Sequence, residues 1–313
     1  MSFGNFYEIC QKTPLPLCNV LLPNHGTNFK GIISTCYARS ISVTNTMIFQ
    51  VGNCFIHISA IVVLMIIVFH VRSKYTAIGR IEMLFFFYLY IANTIASLVV
   101  DAGVSPPSSA TYGYFVAVQI GLASACCWSL MLNGFLGFQF WEDGTRKSIN
   151  FTRLIALCAF SLNFILSLFT FHNWSSNSIV DNTNTLALFV TMYFLNAVTI
   201  GIYVLSQIIL ILTILKNWWA LGAIMLGCFF FTAAQVLMYR FSNQICEGVN
   251  HYLDGLFFGT LCNLFAVMML YKYWDMITTE DLEFSVSNTD GAVPWTNGFF
   301  DEKDNREPSS AIG

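Results

Sequence analysis

Four titratable side chains sit in or beside long apolar runs. His57 lies within the first run, Asp101 closes the second, and His251 and Asp254 open the last. An imidazole beside a carboxylate can move protons, and three or four such groups can hold zinc, as in seven-helix membrane hydrolases. Here only His57 is well inside a run, whereas His70 and His172 sit at opposite faces of the membrane. His251 and Asp254 stand i, i+3 on one helix face and could share a ligand, but two groups do not complete a metal site. The sequence therefore predicts no catalytic, cofactor-binding or metal-ligating residues. No lysine lies mid-span in the last run, where a retinal Schiff base would need one, and "NLFAVMMLYKY" lacks the proline of rhodopsin-type receptors.

The uncharged polar groups inside the runs are more numerous: Gln50, Asn53, Asn93, Gln119, Asn133, Asn163, Asn196, Gln235 and Asn263. In lipid such amides bond across helices for about 0.6 to 2 kcal/mol each. Interhelical pinning is expected of them rather than a transport path.

These groups have to be positioned by membrane helices. The chain of 313 residues is 56% hydrophobic and 10% charged, whereas a soluble domain is about 25% charged. The net charge of −3 gives no ground for nucleic-acid binding. A crossing helix needs about 20 apolar residues, and seven candidates are legible. They are Thr46–Val71, Glu82–Asp101, Tyr112–Phe140, Leu154–Phe171, Leu186–Leu215, Trp218–Tyr239 and Leu253–Trp274. The expected fold is an all-α integral membrane protein, a seven-transmembrane helical bundle over 46–274. Residues 1–45 form an N-terminal segment with cysteines, without the apolar run of a cleavable signal peptide. Residues 275–313 form an acidic, mostly disordered tail, where carboxylates outnumber Lys303 and Arg306.

Orientation follows from the basic residues. Arg72, Lys74 and Arg80, then Arg146, Lys147 and Arg153, then Lys216 fall in the odd-numbered loops. Those loops and the C-terminus are expected in the cytosol, and the N-terminus in the lumen, despite Lys12, Lys30 and Arg39. Cys10, Cys18, Cys36 and Cys246 then share the oxidising side. The spacing favours Cys10–Cys18 as a local loop stiffened by Pro14 and Pro16, leaving Cys36–Cys246 as a long tie. Four free thiols are the alternative. Cys54, Cys126, Cys127, Cys158, Cys228 and Cys262 lie inside helices, where they pack as small residues.

All seven prolines lie outside the runs, so an unbroken bundle is expected. Small residues recur at helix-packing spacing in Gly121 and Ala125, Ala223 and Gly227, and in "GLFFG", Gly255 and Gly259. Such pairs let helices approach closely, either within the bundle or against a partner.

Several stretches resemble the fungal chitin synthase export chaperones: "ICQKTPLPLC", "CYARSISVTNTMIFQ", "HVRSKYTAIGR", "DAGVSPP", "YFVAVQIGLASACCW", "NGFLGFQFWEDGT", "HYLDGLFFGTLCNLFAVMMLYKYWD" and "EDLEFSV". The resemblance runs in order from about Phe6 to Val286. It implies a multi-pass protein of the endoplasmic reticulum membrane that helps a chitin synthase catalytic subunit fold and leave, supporting chitin and cell-wall synthesis. It implies no enzyme activity and no catalytic residues. Its partners would be that client, the lipid bilayer and, for onward travel, vesicle-coat machinery. A seven-helix receptor or a metal-dependent membrane lipid hydrolase is the alternative. On this resemblance the face bearing Gly255, Gly259 and Asn263 is the candidate client-facing helix. Asp281 and Glu283 in "EDLE" have the spacing of a diacidic export signal, against a background of ordinary acidic tail.

Two sequons test the orientation. Asn173 begins "NWS" on the expected lumenal side, close to the membrane, so glycosylation there is possible. Asn150 begins "NFT" on the expected cytosolic side. Glycopeptide mapping is expected to find Asn150 bare. A glycan on Asn150 would reverse the topology.

Overall fold

A computed structural model describes residues 4, 6–21, 31–43, 46–138, 144–172 and 185–289. Among the described residues, seven helices are long and apolar enough to cross a membrane: Val51–Ser73, Arg80–Asp101, Tyr112–Leu136, Arg146–His172, Leu186–Leu215, Trp218–Tyr239 and Gly255–Thr278. They are called the first to seventh spans below. Hydrocarbon offers no partner for a backbone N–H or C=O, so runs of this length pair their own groups as helices.

The boundaries depart from the sequence expectation where local polar chemistry intervenes. The first span begins at Val51 rather than Thr46, because Thr46–Ile48 pairs antiparallel with Ile41–Val43 in a short hairpin. The third span ends at Leu136, before the expected Phe140, which lies outside the described residues. The fourth begins at Arg146, two turns before Leu154. Its polar opening is held by a buried acid on the second span. Glu82 Oε1 accepts from Ser148 Oγ at 2.9 Å and from the Gly144 N–H at 3.0 Å. The seventh helix does not stop at Trp274 but continues to Thr289. Asp281 and Glu283 therefore lie on helical backbone, in the stretch expected as disordered tail.

The fifth span contains two π-helical stretches, Val190–Leu195 and Ile211–Leu215. It turns into the sixth through Lys216, whose φ of 50° is left-handed. Asn217 caps the sixth span, its side-chain oxygen accepting from the Trp219 N–H at 2.8 Å. The sixth span lies along the seventh and the third along the fourth. The second bridges the first and third, the third also carries the fifth, and the seventh reaches the first.

Two buried clusters fill the bundle. At the N-terminal face, Phe6, Cys10, Leu17 and Leu21 pack with Val100, Val116, Leu188 and Leu256. Toward the other face, Leu64, Val71, Phe87, Ile211, Tyr273 and Trp274 pack together. There Lys74, in the loop after the first span, pairs with Asp275 of the seventh helix, and Trp274 Nε1 donates to Ile78 O at 3.2 Å.

Among the described glycines, Gly255 comes closest to the backbone of a neighbouring helix. A Cβ there would lie 2.7 Å from Leu237 O and 2.8 Å from Ser242 Cα, both backbone atoms. Gly255→Ala is expected to cost about 1 to 3 kcal/mol through overpacking. Gly201→Ala, where a Cβ meets nothing within 4 Å, is expected to be neutral or stabilising. Thermal melting of the two variants in detergent checks the contrast.

Candidate functional site

The N-terminal segment forms a plug. Helix Tyr7–Lys12 and the 3-10 turn Pro16–Asn19 are joined by the Cys10–Cys18 disulfide, with Cα atoms 5.5 Å apart. The prolines and the disulfide limit the segment's conformations before it docks. Phe6, Leu15, Leu17 and Leu21 are buried among the ends of the second, third, fourth, fifth, sixth and seventh spans. Polar contacts fix the depth. Thr13 is fully buried and donates to Met238 O at 2.8 Å, which serves one of the carbonyls left open at the end of the sixth span. Gln50 Nε2 donates to Pro14 O at 3.3 Å, and Tyr112 donates to Pro16 O at 3.4 Å.

A second disulfide joins Cys36 to Cys246 on the short helix Ser242–Gly248, with Cα atoms 6.1 Å apart. His251 Nδ1 sits 3.2 Å from Cys36 Sγ and 3.6 Å from Cys246 Sγ. Among the described residues these three donors form the one cluster with metal-like spacing. With the two sulfurs bonded to each other, neither is a thiolate, so the cluster is a disulfide beside an imidazole rather than a zinc site.

The four titratable groups of the sequence separate into different roles. His57 Nε2 lies 3.1 Å from Asp101 Oδ2, with both side chains buried. Asn53 Nδ2 donates to the same carboxylate oxygen, and Asn53 Oδ1 accepts from Thr260 Oγ1 at 2.7 Å. This chain of bonds ties the first, second and seventh spans. The dyad could shuttle a proton, but its groups are engaged in holding helices. Asp254 is elsewhere, capping the seventh span by accepting from the Phe257 N–H at 3.2 Å.

The amides mostly pin helices. Gln119 Nε2 donates to Ser97 Oγ at 2.9 Å, and Asn196 Nδ2 donates to Ser124 Oγ at 2.9 Å. Gln207, which the sequence reading missed, donates to Gly134 O at 2.9 Å and accepts from Tyr273 OH at 2.8 Å. Its spacing from Asn196 on one helix was the available signal. Glu82 was also missed as a structural acid, because its partners Ser148 and Gly144 lie more than sixty positions further along the chain.

Gly255 and Gly259 face the sixth span. A Cβ on Gly259 would meet Met238 Cε at 3.0 Å and Ala234 O at 3.4 Å. Their small size is used inside the bundle, and reaching them from outside would require the sixth span to move away. Asn263, one turn further on, instead borders an open apolar cleft of about 620 Å³ between the fifth and sixth spans. Asn173 lies outside the described residues, and the side chains of Asp281 and Glu283 are likewise not described.

A family model described as chitin synthase export chaperone matches residues 2–288. A chitin synthase export chaperone of Debaryomyces hansenii is 56% identical over 295 residues, covering 94% of this chain and 95% of its own. One of Candida albicans is 55% identical over 295 residues, covering 94% of each. One of Saccharomyces cerevisiae is 50% identical over 315 residues, covering 96% of this chain and all of its own. No solved structure matches the chain.

Asp254 gives this end of the bundle a pH dependence. Burial pushes its carboxyl up from 3.8 to about 6, against the opposing pull of the Phe257 N–H. Because the folded value is the higher one, its contribution to stability is fully present below about pH 4. It is lost as pH rises through about 6, by an amount of order 3 kcal/mol. Asp254→Asn keeps the capping oxygen and removes the titration. Melting curves from pH 4 to 7 are expected to show a smaller decline in the variant than in the wild type.

Proposed function

The chain belongs to the chitin synthase export chaperone family, and we propose that it serves a chitin synthase catalytic subunit as a dedicated membrane chaperone. It helps that client fold in the endoplasmic reticulum membrane and hands it to export vesicles, in support of chitin and cell-wall synthesis. The observation that carries this reading is the extent of the match. It takes in the plug, the cysteines of both disulfides and all seven spans. The family is one of chaperones and not of enzymes. The relatives give no support to a receptor or a metal-dependent lipid hydrolase.

In this reading the N-terminal face looks into the lumen. Both disulfides gather on that face, as an oxidising compartment allows. Arg72, Lys74, Arg80, Arg146, Lys147 and Lys216 gather at the other face, as positive-inside bias requires. The helical extension beyond Thr278 then projects into the cytosol with Asp281 and Glu283. That pair is proposed as the contact with vesicle-coat machinery, through charge-assisted hydrogen bonds to basic groups of a coat subunit.

A reconstituted budding reaction tests both parts. Chitin synthase is expected to co-purify with the chain from detergent-solubilised membranes and to enter vesicles only when the chain is present. Asp281→Ala with Glu283→Ala is expected to lower packaging of chaperone and client together. Packaging of the client without the chain would remove the chaperone role. Equal packaging of wild type and double variant would reduce the acidic pair to solvated charge.

A further inference from the structure

The sixth span is the least buried of the seven. It leans on the seventh and meets the fifth only sparsely. The two diverge around a cleft of about 620 Å³ with apolar walls. Ala197, Gly201 and Ala223 line it, and the space a Cβ of Gly201 would enter is empty to 4 Å. Small walls of this kind let another helix backbone come close.

Asn93 of the second span and Asn263 of the seventh also line the cleft. Both side chains are partly exposed, but the oxygen of each is turned away from solvent and has no hydrogen-bond partner, so rotation of the amide is what presents it to the cleft. Asn133, Asn163 and Asn196 also leave a side-chain oxygen without a partner, but each donates through its Nδ2, whereas Asn93 and Asn263 make no side-chain hydrogen bond at all among the described residues. An amide left unpaired in an apolar setting carries a desolvation cost that a partner would remove.

Depth identifies the partner. Asn93 lies eight residues inside Asp101 and Asn263 eight residues inside Gly255. At the helical rise both sit roughly 12 Å below the N-terminal face. In a hydrocarbon core about 30 Å thick that is near the midplane. Lipid headgroups, ester linkages and sterol hydroxyls stay at the interface, and acyl tails offer no hydrogen bonds at this depth. Access along the bundle axis is closed by the plug, where Phe6, Leu17 and Leu21 pack on Val116 and Leu256. A membrane component with a hydrogen-bonding group at mid-depth is a transmembrane helix carrying Ser, Thr, Asn or Gln there.

We propose that the cleft between the fifth and sixth spans seats one transmembrane helix of the client, which brings a polar side chain to Asn93 and Asn263. The proposal rests on the chaperone reading and names the surface that performs it.

The test uses the full chain co-expressed with chitin synthase, with a photo-crosslinking amino acid at Gly201 or at Leu162. The latter is exposed on the fourth span. Irradiation is expected to link position 201, and not 162, to a transmembrane peptide of the client. Asn93→Leu with Asn263→Leu is expected to lower client recovery roughly tenfold without lowering the melting temperature. Should that pair fail to fold, Gly201→Trp fills the same space and is expected to lower recovery likewise. Adducts only to lipid or to a second copy of the chain overturn the proposal. So does full client recovery by the folded variants when the wild type also recovers client. Failure of the wild type to recover any client overturns the chaperone reading and this one with it.

Discussion

A carboxylate can remain at the edge of a hydrocarbon core only if other groups replace the water it has lost. Asp101 is such a carboxylate, and the N-terminal half of the bundle is arranged around answering it. His57 and Asn53 approach from the first span, and Asn53 passes the network on to Thr260 of the seventh. The Asp101 carbonyl accepts from the Gln50 N–H at 3.3 Å, and the Gln50 side chain reaches the plug. Leaving a buried carboxyl group without its hydrogen-bond partners carries the full desolvation penalty of that group. Three helices and the N-terminal segment are therefore held in one register. The disulfides act on a different link of the chain. Cys36–Cys246 closes a loop of 210 residues, which restricts the unfolded ensemble and fastens the segment before Val51 to the turn between the sixth and seventh spans.

The opposite end has its own buried acid, used differently. Glu82 takes hydrogen bonds from Ser148 Oγ and the Gly144 N–H, and so folds the start of the fourth span onto the second. Lys74 and Asp275 do the same for the seventh helix at the surface. A basic loop that sequence statistics treat as a topology signal thus also carries contacts between helices. The two roles are compatible because the guanidinium and ammonium groups stay at the interface while the acids go inward.

The spans were legible because each apolar run is long and nearly uncharged, and lipid allows such a run few backbone solutions. Their ends were less legible. Thr46–Ile48 reads as part of a helix until its antiparallel partner Ile41–Val43 is known, and Arg146–Arg153 reads as loop until Glu82 is seen to hold it. Pairings across the bundle were hidden for a related reason. His57 and Asp101 are separated by more than forty positions, and no local pattern links them. The sequence did single out both residues, together with Gly255 and Asn263. What it could not supply was which face each residue takes. Gly255 and Gly259 proved to serve the sixth span, and Asn263 the cleft.

The division between amides that bond another helix and amides that bond nothing bears on what kind of bundle this is. In lipid there is no hydrophobic drive to close helices on one another, so packing and polar bonds decide which helices stay together. The second, third, fifth and seventh spans have such bonds through Gln119, Asn196, Gln207 and Tyr273. The sixth span is held along one side through small residues against the seventh, and by Thr13 at its end. Its other side faces a cleft whose amides are idle. The plug and the seventh span hold the sixth from one side, and the cleft stays open next to it. A protein whose work is to hold another membrane protein needs an edge of that kind: rigidly supported, small-walled and short of hydrogen-bond partners at mid-depth.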